Sequence, residues 1–226
     1  MLKFVIMSQP RSGTHMLEEC LKQHIQIASV DEVFRPGSRG VIGNTAFERL
    51  NFINNNFKNI TGFIQHDDII HYGYPPNSHD ALYDFKPKPL LIWLSRMDKI
   101  SQYVSYMIAL RNKQWMITKE HERKKIPPSF TIDIPNFISW ANSQKSNRLT
   151  LLEKFKNWDS LNFLYEQCET NMQNICDIIF DKLDVEKIEV NKTTLKQRTY
   201  NITNYVINYW DVYKESIRQN IIPMLI

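Results

Sequence analysis

Short apolar segments alternate along this chain with longer stretches whose apolar residues recur every three or four positions. The short segments are rich in branched and aromatic side chains, which is typical of buried strands. They occupy residues 3–7, 25–30, 60–65, 90–94 and 161–166. The fourth segment, Leu-Leu-Ile-Trp-Leu, is apolar throughout, as expected of a central parallel strand that is covered on both faces. The pattern predicts strands that alternate with helices.

Several of the helical stretches carry start signals. Asp98 is placed to cap the helix after the fourth strand, and Pro135 suits the first turn of a long helix. Thr170 and Gln173 have the spacing of a capping box, which predicts that a helix opens there. Further helices are predicted after the first strand and over 45–57. A final helix is predicted to be amphipathic, with an apolar face formed by Val206, Tyr209, Trp210, Tyr213 and Ile217.

Candidate chemistry lies first at the turn that joins the first strand to its helix. The turn supplies a cation, two hydroxyl groups and a glycine that allows close backbone approach. These are Arg11, Ser12, Thr14 and Gly13. The first amides of a helix have no intrahelical partner and lie at the positive end of its dipole, so the turn predicts an anion site. The same residues also suit an ordinary helix cap.

A second turn of the same kind follows the fourth strand. It delivers Arg96 to the strand end, and Ser101 and Ser105 share one face of the next helix because they are four residues apart. The forked donors of arginine fit a phosphate group in a bidentate manner. This turn therefore predicts a second anion site near the sheet edge.

Two candidate proton-transfer residues follow other predicted strands. One strand–helix–strand unit returns Glu32 to the carboxyl edge of the sheet, where α/β ligand sites lie. His66 comes directly after the third strand, where a histidine is either incidental or functional. His66, Asp67 and His71 have loop-like spacing with no evident fourth ligand, so no metal site is predicted. The proline-rich stretch 71–89 is predicted to be a substrate-side lid.

Composition limits the classes of protein that this chain can be. The 226 residues suffice for one good-sized core, and we expect a single domain over residues 1–226. A net charge of +4 suits a small anionic ligand and gives no reason to expect nucleic acid as a partner. No apolar run could span a bilayer and the amino-terminal run is too short for a signal peptide, so a cytoplasmic protein is expected. The three cysteines form no C-x-x-C pair and are expected to be buried free thiols.

Two of these segments resemble the nucleotide-binding motifs of sulfotransferases that use 3′-phosphoadenosine 5′-phosphosulfate (PAPS). Residues 9–17, Gln-Pro-Arg-Ser-Gly-Thr-His-Met-Leu, resemble the 5′-phosphosulfate loop of that family, in the form typical of the bacterial trehalose 2-sulfotransferase type. Residues 94–105, Leu-Ser-Arg-Met-Asp-Lys-Ile-Ser-Gln-Tyr-Val-Ser, resemble the strand–helix unit that binds the 3′-phosphate. Gln114-Trp115 matches a Gln-Trp pair that follows in the same type, and the remaining motifs occur in the family's order.

The resemblance implies an α/β fold, with a central, mainly parallel sheet flanked by helices on both faces in a P-loop-like three-layer sandwich. It implies an enzyme that moves a sulfuryl group from PAPS to a hydroxyl group of a small molecule without a metal. A carbohydrate or a glycolipid is the acceptor that the resemblance favours.

The resemblance also implies roles for individual residues. The cofactor would be bound by Arg11, Ser12, Gly13, Thr14, His15, Arg96, Ser101, Ser105 and Arg198. Catalysis would involve Glu32 as the general base together with Arg11, with His66 as an alternative base. The acceptor would contact Gln65, Gln114 and Trp115, although Trp115 suits a plain packing role nearly as well. Tyr165 and Glu166 match a strand-end pair of the family and are expected to be mainly structural.

Two departures from the family pattern leave other functions open. Val33 replaces the first aromatic residue of the pair that follows the family's catalytic Glu, and the common Arg-Lys-Gly motif is absent near Arg198. A nucleotide-binding homologue without turnover is therefore one alternative. A P-loop nucleotide kinase is another, and the missing Lys-Ser or Lys-Thr of a Walker A loop argues against it.

Overall fold

A parallel sheet of five strands forms the centre of the molecule. The computed structural model describes residues 2–35, 42–57, 60–68, 73–115, 117, 119–122, 124, 128–193 and 201–221. The strands are β1 (Leu2–Ser8), β2 (Ile27–Ser29), β3 (Ile60–His66), β4 (Leu90–Ser95) and β5 (Ser160–Leu164). Their order across the sheet is β2, β3, β1, β4, β5, and every strand pair is parallel. The predicted parallel sheet is confirmed, with the 90–94 segment as an interior strand.

Helices cover both faces of this sheet. Those within the described ranges are α1 (Thr14–Leu21), α2 (Ala46–Asn56), α3 (Ser78–Asp84), α4 (Lys99–Asn112), α5 (Ile134–Lys154), α6 (Tyr165–Leu183), α7 (Ile202–Tyr205) and α8 (Tyr209–Arg218). Successive side chains of β1 alternate between the faces. Phe4 and Ile6 belong to the core shared with α1 and α6, whereas Val5 and Met7 belong to the core shared with α2 and α3. The predicted three-layer α/β sandwich is confirmed.

A third apolar cluster joins α4, α5 and α8. Val104 of α4 packs there with Phe137 and Ala141 of α5 and with Val212 of α8. This packing fixes α5 beside the amino-terminal half of α4, so side chains of α5 reach the region behind the loop that follows β1.

Strands β1 and β3 approach each other closely at Gly62. A Cβ atom at this position would lie 2.1 Å from the ring of Phe4. Glycine is therefore required for the Phe4 ring to pack directly against the backbone of β3.

Two predicted helix starts are confirmed. The Asp98 carboxylate accepts a hydrogen bond from the Ser101 amide at 2.8 Å and caps α4. Pro135 lies in the first turn of α5, where Asp133 is the cap and accepts from the Asn136 amide at 3.0 Å.

Helix α6 begins earlier than predicted, although its second segment does begin near the predicted place, beyond the kink at Asn171. Pairing between β4 and β5 ends at Leu164, and Tyr165 already belongs to the helix, so the strand is shorter and the helix longer than the sequence pattern predicts. Thr170 does not cap a new helix, because its hydroxyl donates to the Glu166 carbonyl at 3.1 Å within the same helix. A non-helical Asn171 (φ −141°, ψ 48°) kinks α6 at the place where the sequence signal predicts a start.

The predicted apolar face of the final helix is only partly right. Val212 and Ser216 are the residues of α8 that become buried, whereas Trp210 and Ile217 are 61% and 48% exposed. Val206 lies outside the helix and forms an isolated bridge with Phe130. No helix among the described residues is both long and apolar enough to cross a membrane. All three cysteines are buried free thiols, as expected.

Candidate active site

The turn after β1 has the geometry that an anion site requires. Arg11 and Gly13 both have positive φ, 62° and 84°, and Gly13 is the cap residue of α1. A side chain at Gly13 would also collide with Tyr165, because a Cβ atom would lie 2.6 Å from its ring. Helix α1 has neither a side-chain cap nor an acidic residue in its first turn. Its first amides are therefore left to interact with a negatively charged ligand.

The backbone of the turn after β4 is fixed by hydrogen bonds to a side chain of α6. Glu166, in the first turn of α6, accepts hydrogen bonds from the Met97 and Asp98 amides at 3.2–3.3 Å. The Ser101 hydroxyl donates to Asp98 and is buried, so it completes the cap of α4. Ser105, one turn further along α4, is thus the hydroxyl group that this face offers to a ligand or to Arg11.

The two turns contact each other directly. Arg96 donates to the Arg11 carbonyl at 3.3 Å, and the Nε of Arg11 donates to Ser105 Oγ at 3.0 Å. The ring of Tyr165 lies against both turns, with the Arg96 guanidinium 4.3 Å from its centroid and Gly13 on its edge. The two turns in which anion sites are predicted therefore adjoin each other.

The Trp115 backbone also belongs to this site. Its carbonyl accepts a short hydrogen bond from the Arg11 guanidinium. The half-buried Trp115 ring lies 6.1 Å from the ring of Tyr106. The segment predicted to contact the acceptor thus meets the Arg11 side chain.

Glu32 lies at the same edge of the sheet, in a buried polar network. It accepts a hydrogen bond from the Tyr74 hydroxyl at 3.1 Å, and His66 Nε2 lies 3.2 Å from its other oxygen. The second ring nitrogen of His66 lies 3.0 Å from the hydroxyl of Ser8 at the end of β1. Both nitrogens of His66 are therefore engaged by internal partners.

The charge state of Glu32 follows from these neighbours. Burial raises the pKa of Glu32, but the hydrogen bond and charge of His66, with further contributions from Arg35 and His15, outweigh burial and lower the pKa to about 2. Glu32 is consequently ionised at neutral pH.

His15 connects the start of α1 to the segment that carries Glu32. Its Nδ1 lies 3.3 Å from a carboxylate oxygen of Glu18 and 3.7 Å from one of Asp31. Burial lowers the pKa of His15, but the hydrogen bond to Glu18 and the charges of Asp31, Glu18 and Glu32 outweigh burial and raise the pKa. Ligand atoms of His15, Asp31 and Glu32 lie within 4.8 Å of one another, which makes them a group of metal-ligating type among the described residues.

Other predicted site residues have internal roles. Gln65 is fully buried and its amide donates to the His66 carbonyl at 3.1 Å. The Gln114 amide group bonds to the backbone of Glu122 and Lys124, so it organises the loop after α4. Thr14 is buried within the first turn of α1, and the Ser12 hydroxyl accepts from Gln102 at 3.2 Å. Arg198 and His71 lie outside the described residues.

Sequence reasoning missed three parts of this site. Tyr74 lies within the predicted lid, and no local signal ties it to Glu32. Lys99 and Gln102 occur in the motif that resembles the 3′-phosphate unit, so the motif was the available signal for them. Asp67 and Arg148 form a fully buried ion pair, with 2.7 Å between Arg148 Nε and Asp67 Oδ2. Because the two residues are far apart in sequence, no local pattern predicts this pair.

Comparison with solved structures agrees with this architecture. A sulfotransferase from Alicyclobacillus acidocaldarius is similar to this chain, with a TM-score of 0.58 and 13% identity over 97% of this chain and 94% of that one. The mouse sulfotransferase SULT7A1, complexed with PAP, is similar with a TM-score of 0.55 and 14% identity over 96% of this chain and 84% of that one. The fold is that of sulfotransferases. No family model and no curated protein matches the sequence.

A sulfotransferase fold at this level of identity fixes the architecture, and function has to be argued from the site itself. The described elements bring Arg11, Arg96, Ser105, Glu32 and Trp115 to one edge of the sheet, as the contacts above record. This edge is the carboxyl end of the parallel strands, where α/β folds bind their ligands.

Proposed function

We propose that this protein is a sulfotransferase that moves a sulfuryl group from PAPS to a hydroxyl group of a small molecule. The observation that carries the proposal is the direct contact between the two strand-to-helix turns, in which Arg96 donates to the Arg11 carbonyl and Arg11 donates to Ser105. One nucleotide with anionic groups on both its 3′ and 5′ positions can bind both turns only if they adjoin.

The residues of the two turns fit such a nucleotide. Helix α1 begins with amides that no side chain caps, beside the Arg11 cation. The Nε of Arg96 is buried and has no hydrogen-bond partner in the described part of the chain, which is costly unless a ligand supplies an acceptor. Because Asp98 holds the Ser101 hydroxyl, Ser105 is the better candidate for a contact to the 3′-phosphate.

When bound, PAPS supplies the sulfuryl group and is left as PAP, adenosine 3′,5′-bisphosphate. Arg11 and the first amides of α1 would hold the 5′ end and stabilise the negative charge that develops on the bridging oxygen. Arg96 and Ser105 would hold the 3′-phosphate, a group that ATP lacks, and so select the nucleotide. Positioning and charge stabilisation supply most of the catalysis in a loose, in-line transfer of this kind.

Glu32 is proposed to take the proton from the acceptor hydroxyl. Its carboxylate is ionised at neutral pH because its pKa is about 2, and Tyr74 and His66 orient it. His66 holds Glu32 rather than acting as the base alone, since Ser8 and Glu32 engage its two ring nitrogens. A general base must reach the proton that it removes, and the edge position of Glu32 near His15 suits that role.

The proposed acceptor is a carbohydrate or a glycolipid. The half-buried ring of Trp115 supports this choice, because an aromatic face suits a sugar ring and the Trp115 backbone contacts Arg11. The likeness of residues 9–17 and 94–105 to the trehalose 2-sulfotransferase type favours the same class.

Calorimetry with PAP tests nucleotide binding. We expect the wild-type protein to bind PAP more tightly than ATP. Arg11→Ala and Arg96→Ala should each weaken PAP binding about tenfold to a hundredfold, because each removes a charge-assisted hydrogen bond to an anion. Arg218→Ala is the matched control, since Arg218 pairs with Glu215 on the exposed side of α8.

Transfer of labelled sulfate from PAPS to a panel of sugars, glycolipids and phenols tests turnover. Transfer to at least one sugar-containing acceptor is expected. PAP binding without transfer to any acceptor would instead favour a nucleotide-binding homologue. Preference for ATP with Mg²⁺ over PAP would overturn the proposal in favour of a kinase.

A further inference from the structure

Two glutamine side chains, Gln9 and Gln102, make hydrogen bonds that fix the loop between β1 and α1. The Gln102 amide nitrogen donates to the Pro10 carbonyl at 2.7 Å and to Ser12 Oγ at 3.2 Å. The Gln9 amide nitrogen donates to the Gln144 carbonyl of α5 at 3.0 Å. Gln9 and Gln102 are both essentially fully buried. These contacts require that the nitrogen of each amide, and not its oxygen, faces the backbone.

Lys99 determines which way both amides point. Its ammonium group donates to Gln9 Oε1 at 2.6 Å and to Gln102 Oε1 at 3.0 Å. An amide group is nearly symmetric in shape, so packing alone does not choose between its two orientations, but a lysine offers donors only. Both oxygens must therefore face Lys99, and both nitrogens are directed to the loop and to α5. A reversed Gln102 amide would bring its oxygen against the Pro10 carbonyl.

Burial of Lys99 disfavours its charged form. Burial lowers the pKa of Lys99 to about 7, with Arg148 and Arg96 adding to the shift and Asp67 and Glu166 opposing it. Lys145 of α5 lines the same small cavity beside Lys99 and Gln9. A neutral lysine amine keeps two N–H groups, which is enough for two amide oxygens, but its lone pair can also accept a hydrogen bond. The ammonium form, which only donates, is therefore the form that fixes the orientation of both glutamines.

We propose that Lys99 is a positioning residue of the anion-binding loop: by orienting the Gln9 and Gln102 amides, it holds residues 10–13 in the conformation that presents Arg11 and the α1 amides. This inference rests on the proposed function for its link to PAP, but the loop geometry itself can be measured without any nucleotide. The positive φ of Arg11, which is unfavourable for a residue with a side chain, is the feature that needs such support.

Amide hydrogen exchange of the wild-type protein and of Lys99→Met tests the loop without a ligand. Loop exchange is read from the Leu17 amide, which donates to the carbonyl of loop residue Gly13 at 3.2 Å. Lys99→Met should increase exchange of this amide about tenfold, while the amides in the middle of α5 keep their protection. Lys145→Met is the matched control, because Lys145 lines the same cavity and, in the part of the chain that the structure describes, makes no hydrogen bond to either glutamine. Equal loop exchange in Lys99→Met and Lys145→Met would overturn the inference.

PAP calorimetry on the same variants tests the consequence for binding. Lys99→Met and Gln102→Met should each weaken PAP binding about tenfold, and the double variant should be little weaker than the poorer single one, because both act through the same amide. Lys99→Arg, which also offers donors only, should restore binding to within about threefold of wild type. Additive losses, or no rescue by arginine, would contradict the positioning role.

Hydrogen exchange and PAP calorimetry together distinguish a failure of the proposed function from a failure of the positioning role of Lys99. A wild-type protein that binds no PAP refutes the proposed function, and hydrogen exchange still decides whether Lys99 holds the loop. If Lys99→Met fails to fold by circular dichroism, the comparison of Lys99→Arg with Gln102→Met decides, since the second variant removes the loop contacts themselves. Wild-type loop exchange in Gln102→Met would then overturn the inference.

Discussion

At the scale of single residues, the neighbours of Glu32 determine the ionisation state of its carboxylate. Tyr74 comes from the segment after β3, His66 from the end of β3, and Ser8, behind His66, from the end of β1. Burial raises the pKa of Glu32, but the hydrogen bond and charge of His66, together with the charges of Arg35 and His15, outweigh burial and favour the ionised carboxylate. The result is a residue whose protonation state is constant over the physiological range.

Replacing Glu32 by glutamine should separate catalysis from binding. Glu32→Gln keeps the size of the side chain and one of its two acceptor oxygens but cannot accept a proton, so labelled-sulfate transfer should fall at least about a hundredfold. PAP affinity should stay within about threefold of wild type. His66→Gln should lower transfer less than Glu32→Gln does, because His66 is proposed only to orient the Glu32 carboxylate. A larger loss in His66→Gln would identify His66 as the base instead.

The stability that Glu32 contributes should depend on pH. Its pKa is lowered from 4.5 to about 2 in the folded protein, so the contribution is fully present above pH 4.5 and is lost as the pH falls toward 2. Denaturant unfolding of wild type and Glu32→Gln at pH 7 should differ by on the order of 2–3 kcal/mol. The difference should shrink near pH 3, and a difference that is constant with pH would contradict the ionised network.

At the scale of secondary-structure elements, the buried ion pair of Asp67 and Arg148 connects β3, β4 and α5. Arg148 of α5 donates to Asp67 after β3 at 2.7 Å and to the Leu94 carbonyl of β4 at 3.2 Å. Its guanidinium also lies 4.8 Å from the centroid of the Trp93 ring. Because Asp67 directly follows His66, the pair fixes the strand end that presents His66 to Glu32.

Removing one member of this pair should destabilise the fold strongly. Arg148→Met leaves the Asp67 carboxylate buried without its cation, which should cost about 3–5 kcal/mol of unfolding free energy. The double variant Asp67→Leu with Arg148→Met should lose less than Arg148→Met alone, because no buried charge is left unpaired. Denaturant unfolding measures both, with Arg218→Met as the exposed control. A loss under about 1 kcal/mol for Arg148→Met would mean that the pair is not structural.

At the scale of the whole molecule, the parallel sheet gathers cations from separate turns. Arg11 follows β1 and Arg96 follows β4, the strand beside it, so both side chains leave the sheet at its carboxyl edge. Helix α1 adds the positive end of its dipole there. The positive field of the site is thus a property of the topology, to which each element contributes one part.

This field should make a metal ion unnecessary for the reaction. Chelation with EDTA is expected to leave PAP affinity and labelled-sulfate transfer unchanged, because Arg11, Arg96 and the α1 amides already supply the positive charge. Loss of transfer with EDTA and recovery with Mg²⁺ would contradict this. Such a result would direct attention to the group formed by His15, Asp31 and Glu32.

The sequence by itself determined the features whose causes are local. Apolar runs predicted all five strands, and the residues of the Arg11 turn predicted an anion site, because a strand, a tight turn and a helix start are encoded by adjacent residues. Asp98 and Pro135 marked helix starts for the same reason. The resemblance of two motifs predicted the fold, and the structure confirms it.

Tertiary structure decided the features that join distant residues. No periodicity brings Arg148 to Asp67, Tyr74 to Glu32 or Lys99 to Gln9, because these partners meet only when the strands take their places in the sheet. The start of α6 was mispredicted because sheet pairing with β4, and not the local capping signal at Thr170, sets where β5 ends. The sequence predicted which side chains could belong to the site, and the order of the strands in the sheet determined which of them lie in contact.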